Sequence, residues 1–198
     1  MIIDLGTGDG RAALALAMAE PTTLVIGVDA DAASMAETSR RAARRRAVPN
    51  LLFVLASAEA PPSELLGVAD EVRILFPWGS LLRGLLGHDE RVARGIAALA
   101  RPGARVSATL SITARDGIGE TSELDASAVA DLGRALGPAG LRLTGSHRVD
   151  RDEVRATRST WGRRLLGASG ERPVRRLEFV LEPQTTEPDG RPVAEPAV

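Results

Sequence analysis

The stretch Asp4-Leu5-Gly6-Thr7-Gly8-Asp9-Gly10 decides the fold, because it places three glycines directly after a short apolar run at residues 1–5. A helix-forming segment follows at about residues 11–20, so the loop joins a strand to a helix. Glycines in such a turn let the backbone approach a ligand closely at the carboxyl end of a sheet. Strand-to-helix glycine turns are also common in α/β proteins in general, so the loop alone is a moderate signal.

Apolar runs alternate with longer amphipathic segments through the rest of the chain, which favours an α/β fold. Strands are predicted at 1–5, 23–28, 51–56, 72–76, 104–113, 141–149 and 175–181. Helices are predicted at 11–20, 32–47, 63–66, from the fourth strand through 99, and at 126–136, with a break at Pro102-Gly103. We therefore expect a seven-stranded, mainly parallel sheet whose antiparallel last strand forms a hairpin with the sixth.

Composition limits the possible chemistry. The chain has 198 residues and a net charge of −1, and its 25 basic residues are all arginine. The absence of cysteine excludes disulfides, Cys-ligated zinc and thiol nucleophiles, and His88 and His147 alone leave little for a metal site, so none is predicted. We expect one domain at 1–181, a disordered proline-containing tail at 182–198 and, with neither a signal peptide nor a membrane span, a cytoplasmic location.

The glycine loop could serve either of two cofactor families. A dinucleotide fingerprint would need glycine at position 11, where the chain has Arg11. The observed pattern is instead typical of class I methyltransferases that bind S-adenosylmethionine (SAM), whose cationic methionine end suits a nearby carboxylate. Asp29, at the end of the second strand, is placed to take ribose hydroxyls, although Asp29 or Asp31 could simply cap the next helix. Ala58-Glu59 follows the third strand, where methyltransferases hold the adenine ring.

Two tryptophans stand out because aromatic residues make up only 3% of the chain. Trp78 follows the fourth strand and Trp161 lies between the sixth and seventh strands, so both are expected at the cofactor end of the sheet. A purine extruded from RNA could stack between them, although each could instead be a lid or packing residue. Methylation of an adenine ring nitrogen depends mainly on position and orientation, so it does not require histidine.

Arginine is concentrated in two segments. Residues 40–46 carry five arginines and no acid, and residues 155–176 carry seven arginines against the single acid Glu171. A solvated face would normally include interspersed acids, so phosphate binding is the better interpretation. A genome rich in G and C explains why lysine is absent but not where the arginines lie. The net charge is then an average over two basic patches and an acidic remainder.

These motifs resemble the family of 16S ribosomal RNA adenine-1408 N1-methyltransferases, which confer aminoglycoside resistance. The resemblance covers most of residues 1–181 and rests on the glycine loop, Ala58-Glu59, the run Phe76-Pro77-Trp78-Gly79-Ser80-Leu81-Leu82, and Ser159-Thr160-Trp161 with Arg163-Arg164. It implies a Rossmann-like class I fold, methylation of the 30S subunit, and Trp78 and Trp161 stacked on the flipped adenine. The motifs and the resemblance together predict SAM contacts at Asp4, Gly6, Gly8, Asp29, Ala58, Glu59, Leu75, Phe76, Pro77 and Ser159. RNA contacts are predicted at Arg40, Arg41, Arg44, Arg45, Arg163, Arg164 and Arg172.

The chain departs from that family in two ways. Family members usually carry an N-terminal extension before the first strand, which we expect to be missing here, and the segment 115–124 is shorter than the usual linker. The alternatives are a SAM methyltransferase acting on tRNA or a small molecule, and a non-catalytic ribosome-binding module. An NAD-type oxidoreductase is disfavoured by Arg11. Besides the 30S subunit we expect no membrane or DNA partner, and a monomer.

Overall fold

The computed structural model describes residues 1–44, 48–112, 124–167 and 172–183, which build one seven-stranded sheet. Its strands are β1 (Ile2–Leu5), β2 (Val25–Asp29), β3 (Leu51–Leu55), β4 (Ala69–Leu75), β5 (Ala100–Leu110), β6 (Leu141–Arg148) and β7 (Arg175–Leu181). Their order is β3-β2-β1-β4-β5-β7-β6. Strands β1 to β5 run parallel, and β7 lies antiparallel between β5 and β6. The predicted fold class is confirmed.

Seven α-helices occur in the described ranges. They are α1 (Arg11–Ala19), α2 (Ala32–Ala43), α3 (Gly79–Leu85), α4 (Glu90–Leu99), α5 (Ala126–Leu136), α6 (Arg151–Ala156) and α7 (Thr160–Gly167), with 3-10 turns at Ser63–Leu65 and Gly137–Ala139. Four of them begin after an aspartate whose carboxylate accepts a backbone N–H of the first turn: Asp31, Asp89, Asp125 and Asp150. None of these helices is long and apolar enough to cross a bilayer.

Several predicted boundaries were wrong. The helical stretch before Leu99 is two helices, because Gly87 (φ 81°) ends one and Asp89 caps the next. The sequence prediction missed α6 and α7, since each is shorter than three turns. Helix α2 ends at Ala43 rather than 47, and 45–47 lie outside the described residues.

Strand β5 also begins earlier than predicted. Its register with β4 shifts from Ala69 opposite Ala100 to Glu71 opposite Arg105, so β5 has four residues, 101–104, where β4 has one. The Pro102-Gly103 break is therefore a bulge within the strand, which accommodates a proline that cannot donate to the ladder. At the other end of the chain β7 stops at Leu181, and most of the predicted tail, residues 184–198, lies outside the described residues.

The core lies on both faces of the sheet and divides into two larger clusters and a small third one. Fully buried residues such as Ile3, Ile74 and Phe179 belong to the main cluster. The third cluster consists of Phe76, Val154 and Val174, and it joins the chain just past β4 to α6 and to the segment before β7. Burying these side chains fixes loops that would otherwise be free to move over the carboxyl end of the sheet.

Candidate active site

A cavity of about 330 Å³ lies at the carboxyl ends of β1, β2, β3 and β4. This edge, where the strand order reverses beside β1, is where open α/β sheets bind ligands. The predicted cofactor residues on its wall are Gly6, Asp29, Ala58, Glu59 and Pro77. The sequence motifs that follow four different strands therefore meet in one cavity of a size suited to a small-molecule ligand.

The glycine loop adopts a backbone conformation that favours glycine at three positions. Gly6, Gly8 and Gly10 have φ angles of 73°, 58° and 72°, all in the left-handed region. A Cβ atom on Gly6 would lie 2.6 Å from Cδ2 of Leu81, so a larger residue here would also displace the Leu81 side chain. The Gly8 N–H donates to Oδ2 of Asp29 at 2.7 Å, which fastens the loop to the end of β2.

The two aspartates after β2 have different partners. Asp31 caps α2, because its carboxylate accepts the Ala33 N–H at 2.9 Å and the Ser34 hydroxyl at 2.6 Å. These hydrogen bonds, that of Ser34 foremost, lower the pKa of Asp31. Asp29 instead accepts one backbone N–H at each oxygen, from Gly8 and from Asp31. Each oxygen has further acceptor capacity, so Asp29 can also accept a hydroxyl on the cavity side.

The wall of the cavity is acidic. Asp29, Asp31 and Glu59 line it, and none of the arginines in the described part of the chain does. The pKa of Glu59 is held below its usual value by its own backbone N–H and by the hydroxyls of Ser80 and Ser57. Glu59 is therefore an anion at neutral pH. Three carboxylates fit a ligand that carries positive charge and ribose hydroxyls, whereas they would repel a pyrophosphate.

Helix α4 supports this wall through a glycine that the sequence analysis missed. A Cβ atom on Gly95 would lie 1.7 Å from the carbonyl oxygen of Ala58, so the helix packs directly against the backbone after β3. A glycine inside an amphipathic helix makes the helix less stable than alanine would. Its presence in this helix was therefore the sequence signal of a close packing contact.

We expect Gly95→Ala to lower the free energy of unfolding by about 1–3 kcal/mol, because overpacking outweighs the gain in helix propensity. Urea denaturation measures the change. Gly167→Ala is the control, since a Cβ atom at Gly167 would meet nothing within 4 Å. Equal stability of the two variants would contradict the packing argument.

The other predicted cofactor residues lie behind or beside the cavity wall. Asp4 is buried, accepts the Thr7 hydroxyl at 2.6 Å, and has its pKa raised by burial. Leu75 and Phe76 belong to the third hydrophobic cluster. Ser159 is buried before α7, where its Oγ accepts the Gly162 N–H at 3.3 Å. Gly8 is not on the wall either, but its N–H donates directly to the wall residue Asp29.

The two tryptophans are exposed, and the segments that carry them are in contact. Trp78 lines the cavity with 74% of its surface exposed, and Trp161 on α7 is 47% exposed. Phe76, with φ of 50°, packs against Gly162, where a Cβ atom would lie 2.9 Å from the Phe76 ring. The residue two before Trp78 thus contacts the residue after Trp161, so the two segments that carry the indoles pack against each other.

The two arginine segments face a common groove of about 1240 Å³. Arg41 of α2 and Arg163 of α7 both line it, although 121 residues separate them in the sequence. Arg155 and Arg158 of the second arginine segment also line it, together with three arginines outside both segments, Arg11, Arg73 and Arg151. No acid of the described residues lines the groove, but neighbouring carboxylates offset part of its charge, since Arg155 lies 2.8 Å from Asp152 and Arg11 lies 3.6 Å from Asp9.

The remaining predicted RNA contacts lie elsewhere. Arg40 is exposed on the last turn of α2, and Arg44 is exposed directly after that helix. Arg45 lies outside the described residues. The Arg164 guanidinium lies 5.5 Å from the centroid of the Trp161 ring, a cation–π distance. Arg172 lines a separate cleft with Val149, Arg151 and Leu165. The structure therefore brings together Arg41 and Arg163 but not the whole predicted set.

The chain is similar in sequence to one family of known proteins. The family model described as NpmA, 16S rRNA (adenine(1408)-N(1))-methyltransferase, matches residues 1–180. A 16S rRNA (adenine(1408)-N(1))-methyltransferase of Streptoalloteichus tenebrarius is 36% identical over 191 residues, covering 92% of this chain and 88% of the relative. One of Escherichia coli is 30% identical over 176 residues, covering 82% and 79%.

Solved structures agree with that placement. A tryptophan-to-alanine mutant of such an enzyme from Catenulisporales acidiphilia, with its cosubstrate SAM, has a TM-score of 0.83 and 34% identity over 94% of this chain and 87% of its own. The 16S rRNA methyltransferase KamB has a TM-score of 0.83 and 33% identity, covering 92% and 87%. The predictions of an enzyme and of SAM as its cofactor are confirmed. The chain belongs to the 16S rRNA (adenine(1408)-N(1))-methyltransferase family.

Proposed function

We propose that this chain transfers a methyl group from SAM to N1 of adenine 1408 in the 16S rRNA of the 30S subunit, and thereby confers aminoglycoside resistance. The observation that supports this most directly is the contact between Phe76 and Gly162, which packs the segments of Trp78 and Trp161 together beside the acidic cavity.

The cavity residues fit SAM in charge and in hydrogen-bonding capacity. When bound, SAM supplies an electrophilic methyl group. Asp29 would accept the ribose hydroxyls, Ala58 and Glu59 would hold the adenine end, and the glycine loop would lie along the methionine end. Pro77, Leu75 and Phe76 would shape the side that faces the substrate, with Ser159 beyond them.

Trp78 and Trp161 would hold the target base by stacking. The N1 of adenine carries a free lone pair, so no base has to remove a proton before the transfer, and catalysis depends on orientation. The adenine ring gains positive charge as N1 forms its new bond. Indole faces stabilise a cation above them, so the same two residues would also favour the transition state over the neutral ground state.

The arginine groove would bind the phosphates of the rRNA next to the flipped base. Backbone phosphates of folded RNA supply closely spaced negative charge, which arginine binds in bidentate fashion. Arg41, Arg155 and Arg163, which all line this groove, would bind phosphates together. We propose that the protein acts as a monomer on 30S subunits in the cytoplasm.

A direct test is incubation of purified 30S subunits with the protein and labelled SAM, followed by reverse transcription across the decoding site. The expected result is a single stop at adenine 1408, with resistance to kanamycin and apramycin in a sensitive bacterium. Label in tRNA but not in 30S subunits would favour the alternative substrate class. Binding of 30S subunits without any label would favour a non-catalytic module.

We expect Asp29→Asn to weaken SAM binding about 10-fold, because a neutral amide makes weaker hydrogen bonds to ribose hydroxyls than a carboxylate does. Isothermal titration calorimetry with SAM measures the change. Asp125→Asn is the matched control, since Asp125 caps α5 outside the cavity and asparagine caps equally well. Unchanged SAM affinity in Asp29→Asn would remove this residue from the proposed site.

A further inference from the structure

Asp9, in the glycine loop, is hydrogen-bonded to three different helices. Its carbonyl oxygen accepts the hydroxyl of Thr38 on α2 at 2.5 Å. Its Oδ1 accepts the backbone N–H of Arg11, the first residue of α1, at 3.2 Å, and its Oδ2 accepts the hydroxyl of Thr160 on α7 at 2.6 Å. One loop residue therefore joins the arginine-bearing helix α2 and the tryptophan-bearing helix α7.

The same loop forms part of the SAM cavity. Gly6 lies on the cavity wall, and the N–H of Gly8, next to Asp9, donates to the wall residue Asp29. The path from the cavity wall to Thr160 thus consists of two hydrogen bonds and one peptide link. Neither Asp9 nor Thr160 lines the cavity. Their hydrogen bond can therefore be removed without deleting a group on the cavity wall.

The Asp9–Thr160 hydrogen bond is well placed to fix the position of Trp161. Thr160 begins α7 and directly precedes Trp161, and both hydrogen-bonding residues are half-buried, which shields the bond from water. Among the described residues of α7 only Gly162 is fully buried, and Leu165 and Leu166 pack partly buried against the third cluster, so the hydrogen bond adds to a limited apolar contact. The Thr160 hydroxyl is its polar tie to a loop 151 residues away in sequence.

We propose that Asp9 is a positioning residue that, through Thr160, couples the SAM-binding loop to the orientation of Trp161. The inference rests on the proposed function, in which Trp161 stacks on the target adenine. Because a coupling free energy is reciprocal, a loop ordered by SAM would favour the stacking position of Trp161, and a base stacked there would favour SAM binding. Binding of the two substrates would then be cooperative through one hydrogen bond.

Trp161 itself can report this coupling without any ribosome. In a Trp78→Phe background it is the single tryptophan, and its 47% exposure makes it accessible to acrylamide. We expect saturating SAM to lower the acrylamide quenching constant of Trp161 by about 2-fold in this background, because SAM favours the ordered position of α7. The change should vanish in Trp78→Phe/Thr160→Val and persist in Trp78→Phe/Thr160→Ser, which keeps the hydroxyl. Calorimetry confirms that each variant binds SAM.

Two results would overturn the inference: a Trp78→Phe protein in which SAM leaves the quenching constant unchanged, or a Trp78→Phe/Thr160→Val variant that responds as the Trp78→Phe protein does.

A second measurement uses the protein with native Trp78. Thr160→Val should lower kcat for 30S methylation roughly 10-fold, since one hydrogen bond to a carboxylate is worth about that factor, and should raise KM for SAM at saturating 30S subunits, because the bound base no longer favours SAM binding. Thr160→Ser should restore kcat, and a kcat in Thr160→Val equal to that of the unaltered protein would also count against the coupling. If the unaltered protein does not methylate 30S subunits, the proposed function fails, and the quenching experiment still decides the role of Asp9.

Discussion

Removing either tryptophan should lower kcat/KM for methylation of 30S subunits by roughly 10- to 100-fold, because each stacked base face contributes about 1–3 kcal/mol. Trp78→Ala and Trp161→Ala would both expose one face of the flipped adenine to water. The base would then occupy the cavity in several orientations, and few of them would direct N1 at the methyl group. The double variant should fall below either single variant but by less than the product of their effects, since both residues stack on one ring.

The controls separate stacking from folding. Trp161→Phe and Trp78→Phe keep an aromatic face and should retain most of the activity. Leu66→Ala removes another exposed apolar side chain, 46% exposed and not among the cavity-lining residues, and should change little. SAM affinity measured by calorimetry should stay within a few-fold in all these variants. If Trp78→Ala methylates 30S subunits as fast as the unaltered protein, the stacking hypothesis is wrong and the tryptophans are packing residues.

The fold could be predicted from sequence because its strands are apolar runs separated by clear turn signals. The glycine loop after β1 follows from local pattern, whereas the antiparallel pairing of β6 with β7 joins strands that α6 and α7 separate in the chain. The short helices α6 and α7 could not be found in this way, since six and eight residues carry too few apolar positions to define a period. Only the capping box at Asp150 and Glu153 indicated the first of them.

The site was predictable where each residue follows a strand, and unpredictable where it depends on tertiary contact. Asp29 is the last residue of β2, and Glu59 follows the end of β3 by four residues, each in a motif of recognisable form. The Asp9–Thr160 hydrogen bond and the packing of Gly95 on Ala58 join segments far apart in the chain, so no local pattern encodes them. The arginine groove is similar, because Arg155 lies in the second arginine segment but faces Arg41 only in the folded protein.

Replacing three arginines of the groove should weaken 30S binding by about 10²- to 10³-fold at physiological salt. Arg41, Arg155 and Arg163 come from three helices, and glutamine at each position keeps helix propensity while removing the charge. Each phosphate contact releases condensed counterions, so losing three should also reduce the slope of log affinity against log salt concentration by roughly 2–3. SAM affinity should not change, because none of the three lines the cavity.

The salt slope distinguishes the groove from general electrostatic attraction. The matched control is the triple variant Arg94→Gln/Arg134→Gln/Arg142→Gln, which changes net charge equally at exposed positions outside the groove. The exposed ion pairs that this control breaks contribute little to stability. If only the charge of the whole protein mattered, both triple variants would lose affinity alike and their salt slopes would coincide. We expect the control to retain the slope of the unaltered protein, because phosphate contacts require arginines that face the bound strand, and Arg41 and Arg163 face one groove.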